Sequence, residues 1–161
     1  MVKFKVFQSG FSLMELMITI SLLAILVVTG TAFTTLWSKQ VELDKAIMSF
    51  QSAISLAKST ALRNEFATNS ELPSSLLCFD LSTSELTVRK ASSNSSASCK
   101  STIVFSAFLK NSIVIKRNSD TALFECFAVN SYGQVITEGS CKTDLSITIH
   151  NGILNDNLFF N

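Results

Sequence analysis

The sequence predicts an α+β chain in which one long N-terminal helix packs against an antiparallel β-sheet. Three observations carry this reading. A run from Phe11 to Trp37 is apolar except for one charged residue, Glu15. Beyond it, apolar side chains recur at helical spacing to about Arg63 or Phe66, and no proline lies between Phe11 and Leu72. From there on, short runs of β-branched and aromatic residues alternate with polar turns.

The first element is the segment FSLMELMITISLLAILVVTGTAFTTLW. As a helix it would be about 40 Å long, more than the ~30 Å hydrocarbon core of a bilayer. Lys3 and Lys5 precede it, and basic flanks stay in the cytoplasm, so the rest of the chain is expected to be exported. A cleavable signal peptide would have an apolar region of about 7–15 residues and a small-x-small site after it. This run is too long and ends on Trp37 and Lys39, with no Ala-x-Ala nearby. Val41, Ile47, Phe50, Ile54, Leu56, Ala57, Ala61 and Leu62 then mark an amphipathic continuation of the same helix, of about 50 residues in all. Gly30 is its one weak point, at about 1 kcal/mol relative to alanine. Asn69, Ser70 and Pro73, the only proline, end the helical pattern.

Strands are predicted at Ser75–Asp80, Glu85–Arg89, Ile103–Phe108, Ile113–Arg117, Leu123–Val129 and Leu145–His150. The turn signals between them include Asn118-Ser119-Asp120, Tyr132-Gly133 and Asn151-Gly152. Ser92–Ser98 is low in complexity and is expected to be a mobile loop. Phe105, Phe108, Phe124 and Phe127 are assigned to the core, and Leu158-Phe159-Phe160 to an edge strand completing it.

Charge narrows the function classes. The chain has 161 residues and a formal charge of +1, from thirteen basic and twelve acidic residues. From Lys39 onward the two signs balance at eleven each, so that part has no global field to draw in nucleic acid. Lys110, Lys116 and Arg117 are the remaining basic cluster, read as a solvated edge. His150 is the only histidine, and no phosphate loop or nucleophile elbow is present. No enzymatic activity, cofactor or metal is expected. Cys78, Cys99, Cys126 and Cys141 all follow the apolar segment, without a CxxC. Four cysteines allow three pairings. The two sequential ones, Cys78–Cys99 and Cys126–Cys141, are favoured because each closes a local loop in an oxidising compartment.

Glu15 requires its own account. A carboxylate at membrane depth costs about 2.5–3.5 kcal/mol and usually has a partner. A cut between Gly10 and Phe11 would create one, a charged α-amine on Phe11. A neighbouring subunit's Glu15 pairs with it where helices pack in low dielectric. Glycine before the bond leaves no side chain to obstruct a protease.

The stretch KVFQSG-FSLMELMITISLLAIL resembles the leader and N-terminal helix of type IV pilins and type II secretion pseudopilins. The resemblance implies the type IV pilin fold, cleavage by prepilin peptidase between Gly10 and Phe11, and N-methylation of Phe11. It implies that Glu15 supports methylation and docking to other minor and major pilins through their N-terminal helices. The corresponding divisions are a leader at 1–10, a transmembrane half-helix at 11–37, an amphipathic half at 38–68 and a periplasmic β-rich domain at 69–161. The chain would be a single-pass inner-membrane protein, later part of a pilus, at its tip, or of a pseudopilus.

The stretch Leu56-Ala-Lys-Ser-Thr-Ala-Leu-Arg-Asn64 is similar to the helix end of GspH/FimT-type minor pilins, with Lys58, Ala61 and Arg63 at the motif positions, Arg63 one place early. Leu76-Leu77-Cys78, Phe127–Gly133 and Leu145–Ile149 also resemble that family's β-domain, and the four cysteines are most similar to the pilus-priming member FimU. The implied function is a minor pilin that initiates the pilus or caps its tip. The alternatives are an H-type pseudopilin of type II secretion or a DNA-binding or adhesive receptor pilin. The basic Gly-Arg-x-Arg segment of DNA-binding members is missing, since no Lys or Arg follows Lys142.

Overall fold

The structure is a computed structural model that describes residues 12–63, 65–66, 69, 71–144 and 146–160. Helix α1 runs from Leu13 to Arg63, 51 residues without a break. The chain divides into two compact units, one ending at Ser38 and one beginning at Lys39. In the first unit α1 is apolar and exposed, and it is long and apolar enough to cross a membrane. Three of its hydroxyls bond back to the helix. Thr19 donates to the Leu16 carbonyl at 2.9 Å, Ser21 to Met17 at 2.8 Å and Thr29 to Ile25 at 3.0 Å. Such back-bonding gives each of these three hydroxyl protons an acceptor that lipid could not supply.

The second unit holds the last part of α1 and eight strands: β1 (Pro73–Asp80), β2 (Glu85–Lys90), β3 (Thr102–Phe108), β4 (Ile113–Arg117), β5 (Cys126–Asn130), β6 (Val135–Ile136), β7 (Ser146–Asn151) and β8 (Leu154–Phe159). The α+β class expected from the sequence is what the structure has. The strands form two antiparallel sheets where one was expected, a five-stranded sheet in the order β3-β2-β1-β5-β6 and a three-stranded sheet in the order β4-β7-β8. The expected strand at Leu123–Val129 begins only at Cys126. Leu123 bridges to Lys116, and the Phe124 amide donates to the Ile115 carbonyl at 2.9 Å, so those two residues serve β4 instead.

The helix buries Leu43, Ala46, Phe50, Ala53, Ile54, Ala57 and Ala61. The spacing of three and four keeps them on one stripe. Val41 and Leu62, assigned to that face from the sequence, are 46% and 60% exposed, because they lie off the stripe that Leu43, Ala46 and Ala53 complete. The alanines let the backbone approach the sheet closely. The buried Ser75 of β1 donates its hydroxyl to the Ala57 carbonyl at 2.6 Å. Phe50 is fully buried, with ring centroids 5.2 Å from Phe124 and 5.8 Å from Phe160. Leu77, Leu86, Val88, Ile113, Ile115, Phe127, Ile147 and Ile149 complete this core from both sheets.

A smaller cluster of Leu76, Cys78, Ala91, Ala97, Cys126, Ala128 and Cys141 lies apart from it. Two disulfides, Cys78–Cys99 and Cys126–Cys141, fasten it. They also explain why 92–98 is no loose loop. Ser92 and Ser95 bridge each other, the Ala97 amide donates to the Pro73 carbonyl at 2.8 Å, and Ala97 is buried just before Cys99. Phe108 is a further correction, being 70% exposed at the end of an edge strand. At the C-terminus Leu158 and Phe160 pack on the core while Phe159 faces out.

Phe50→Ala should destabilise the second unit by about 3–5 kcal/mol, since the surrounding rings cannot collapse into the space. Denaturant unfolding of the oxidised protein measures it. Replacing either cysteine pair by serine should cost about 3 kcal/mol by the loop-closure argument, with loops of 21 and 15 residues in sequence separation.

Candidate assembly site

The residues expected from the sequence to carry chemistry in the N-terminal segment are Gly10, Phe11 and Glu15. Gly10 and Phe11 lie outside the described residues. Ser12 starts the helix, and its carbonyl accepts the Glu15 and Leu16 amides at 3.0 and 3.1 Å. Glu15 is therefore in the first turn of α1, with its side chain exposed. A carboxylate there is stabilised by the helix dipole by about 0.3–1 kcal/mol. Around and beyond it, Leu13, Met14, Leu16, Met17, Ile18, Ile20, Leu22 and Leu23 are all more than half exposed. An isolated helix with this surface is incomplete in water, and lipid or other apolar helices are the environments that suit it.

Residues 7–31 match the prokaryotic N-terminal methylation motif.

That match covers Gly10, Phe11 and Glu15 and supports a type IV pilin-like or pseudopilin chain anchored in the inner membrane. No curated protein and no solved structure matches the chain. The motif match and the α+β architecture together suggest a structural subunit.

In the second unit, polar contacts hold the start of its helical part. The buried Asn151 of β7 donates its amide to the Lys39 carbonyl at 2.8 Å and to Glu42 at 3.3 Å. Lys110, in the β3–β4 connection, forms an ion pair with Glu42. The Lys110 bond is the main cause, with Asn151 and the nearby charges of Lys110 and Lys39 adding to it, that holds the Glu42 carboxyl below its ordinary range. The sequence marked Asn151-Gly152 only as a turn. It is a turn, with Gly152 at φ +67° as the first residue of a two-residue hairpin loop. The spacing had no signal for the contact with a helix 109 residues away.

Two members of the basic cluster read from the sequence are paired with carboxylates. Lys110 is held by Glu42, and Arg117 is bidentate to Asp120 at 2.9 and 3.2 Å. His150 sits in β7 opposite Val114, partly buried. A cleft of about 440 Å³ lies beside the disulfides, lined by Thr87, Arg89, Glu125 and Ser140 among others. Arg89 there is engaged with the Ser101 carbonyl at 2.7 Å. Among the described residues no group of three or more His, Cys, Asp or Glu is placed to hold a metal.

Because the folded Glu42 carboxyl titrates below its ordinary value of 4.5, its contribution is fully present above that pH and is lost as pH falls through the lowered value. Glu42→Gln removes the contribution at every pH. The variant should therefore be less stable than wild type near neutrality, and the two should converge in acid. Urea midpoints taken across the acid range give the comparison.

Proposed function

We propose that this chain is a minor pilin of a type IV pilus, a structural subunit that helps to initiate the filament or caps its tip. The observation that carries the proposal is the N-terminal half of α1. It is apolar on every side, uninterrupted, and bears one carboxylate, Glu15, in its first turn, four residues after Phe11. A plain anchor has no use for that carboxylate.

In this reading residues 1–10 are the leader, residues 11–37 the transmembrane and assembly segment, residues 38–68 the amphipathic segment, and residues 69–161 the periplasmic domain. Prepilin peptidase removes the leader after Gly10 and methylates the Phe11 amine. The Glu15 of one subunit then pairs with the Phe11 amine of the next as the helices pack.

The four cysteines, paired in two local loops, and the Lys58/Ala61/Arg63 helix end favour a GspH/FimT-type minor pilin, most similar to FimU, over a major pilin. The same N-terminal device would serve an H-type pseudopilin of type II secretion. The machine is told apart by deletion. Loss of piliation and twitching with secretion intact fits the pilus, and the reverse fits the secretion system. A DNA-binding or adhesive receptor role is a weaker reading, because two of the three clustered cations are neutralised by carboxylates.

Glu15→Ala should insert into the membrane normally yet be poorly methylated or fail to enter the filament. Membrane fractionation, mass spectrometry of the processed N-terminus and immunoblots of sheared filaments read the three steps separately. Normal incorporation of the variant would remove the argument.

A further inference from the structure

Among the described residues four strands lie at sheet edges, and three of them are blunted. β6 has two residues. The outer side of β4 is taken by the Ala122–Phe124 segment, whose groups bond Arg117 and Ile115. β8 carries Asn155-Asp156-Asn157 at its centre. Short edges, covered edges and inward or central charges are the usual protections against strand addition.

β3 has none of these over most of its length. Its sequence, Thr-Ile-Val-Phe-Ser-Ala-Phe, contains no charge and no proline, and Ile103, Val104 and Phe108 are 48%, 42% and 70% exposed. A bulge interrupts the register with β2 at Val104, but Phe105 to Phe108 pair regularly with Val88 to Glu85.

The hydrogen-bond phase of that stretch is set. The Leu109 amide donates to the Ser84 carbonyl at 2.9 Å. By the alternation of an antiparallel ladder, Ala107 and Phe105 also bond toward β2, and the backbone groups of Ser106 and Phe108 face the open edge.

We infer that β3 is a docking edge for β3 of a second copy of this chain, the two strands running antiparallel about a two-fold axis at Ala107. In that register Ser106 lies opposite the second copy's Phe108, so the outward-facing groups of both strands meet and bond. Lys110 lies opposite Val104, so no like charges oppose each other, and Lys110 is already held by Glu42. Lys100 falls beyond the overlap.

The balanced charge from Lys39 onward adds no long-range repulsion between copies. The blunted edges elsewhere stop the addition at two, as a closed isologous contact requires. The inference concerns this edge alone and is independent of Glu15 and of the pilin reading.

In this register the two Ala107 residues form the non-hydrogen-bonded pair on the axis, with Cα atoms about 4.5 Å apart, close enough for a disulfide. Full-length Ala107→Cys in membranes should therefore give a disulfide-linked dimer on non-reducing gels. Ser93→Cys, at an exposed turn, should not, and adding Phe108→Lys to Ala107→Cys should abolish the dimer. Without any introduced cysteine, the wild-type chain in detergent should sediment at twice the mass of the Phe108→Lys variant. Cross-linking at 107 no stronger than at 93 would overturn the proposal. So would equal masses for wild type and Phe108→Lys, whether both are monomers or both are held together elsewhere.

Discussion

The close seat of the helical stripe Leu43–Ala61 on the five-stranded sheet is the contact on which the second unit depends. Four of the seven buried positions on that stripe are alanine. Small side chains bring the helix backbone within reach of Ser75, whose hydroxyl shares the Ala57 carbonyl. Phe50 supplies the volume the alanines lack, filling the space between Phe124, Phe127 and Phe160. A larger residue at Ala57 would lift the helix off Ser75 and leave a buried hydroxyl without its acceptor, two penalties from one substitution.

The helix satisfies two different environments with one backbone, and the division falls near Ser38. Before it the side chains are apolar on all sides. After it they are apolar on one stripe, with Lys39, Glu42, Asp44 and Lys45 on or near the rest. Asn151 and Lys110 take hold at Lys39 and Glu42, where the stripe begins. These polar contacts fix the beginning of the packed part by specific bonds, whereas burial fixes its middle. The two disulfides serve the far side of the sheet, where the small cluster around Leu76 and Ala128 has too little apolar area to order 92–99 alone.

Much of this was legible in the sequence because periodicity is a local signal. The helix, its length and most strands follow from spacing and from Pro73. What was not legible depends on distance along the chain. The division into two sheets turns on Leu123 and Phe124 bonding to β4, and β-branched composition cannot say which neighbour a strand will choose. Phe108 has the residue type of a core position, but its strand sits at an edge, and edge position is a property of the sheet order. Ala46 and Ala53 give little sign of their burial in the sequence, because alanine is a weak hydrophobic signal even where it marks the closest approach. At the N-terminal segment the reverse holds. Gly10, Phe11 and Glu15 fall within six consecutive residues, so the candidate site is read directly and the fold adds only that Glu15 is in the first turn.

That placement bears on the energetics of the proposed assembly. A first-turn carboxylate gains about 0.3–1 kcal/mol from the helix dipole, against roughly 2.5–3.5 kcal/mol for residence at membrane depth. The dipole therefore leaves a deficit of about 2 kcal/mol, which an isolated subunit relieves only by keeping Glu15 at the headgroups and so holding the helix high in the bilayer. In the proposed assembly a packed neighbour with a free α-amine would remove the deficit and let the helix leave the lipid with its charge paired. Insertion and extraction would then be opposite sides of one balance, and a carboxylate at this position makes the single subunit less settled in the membrane than the assembled one.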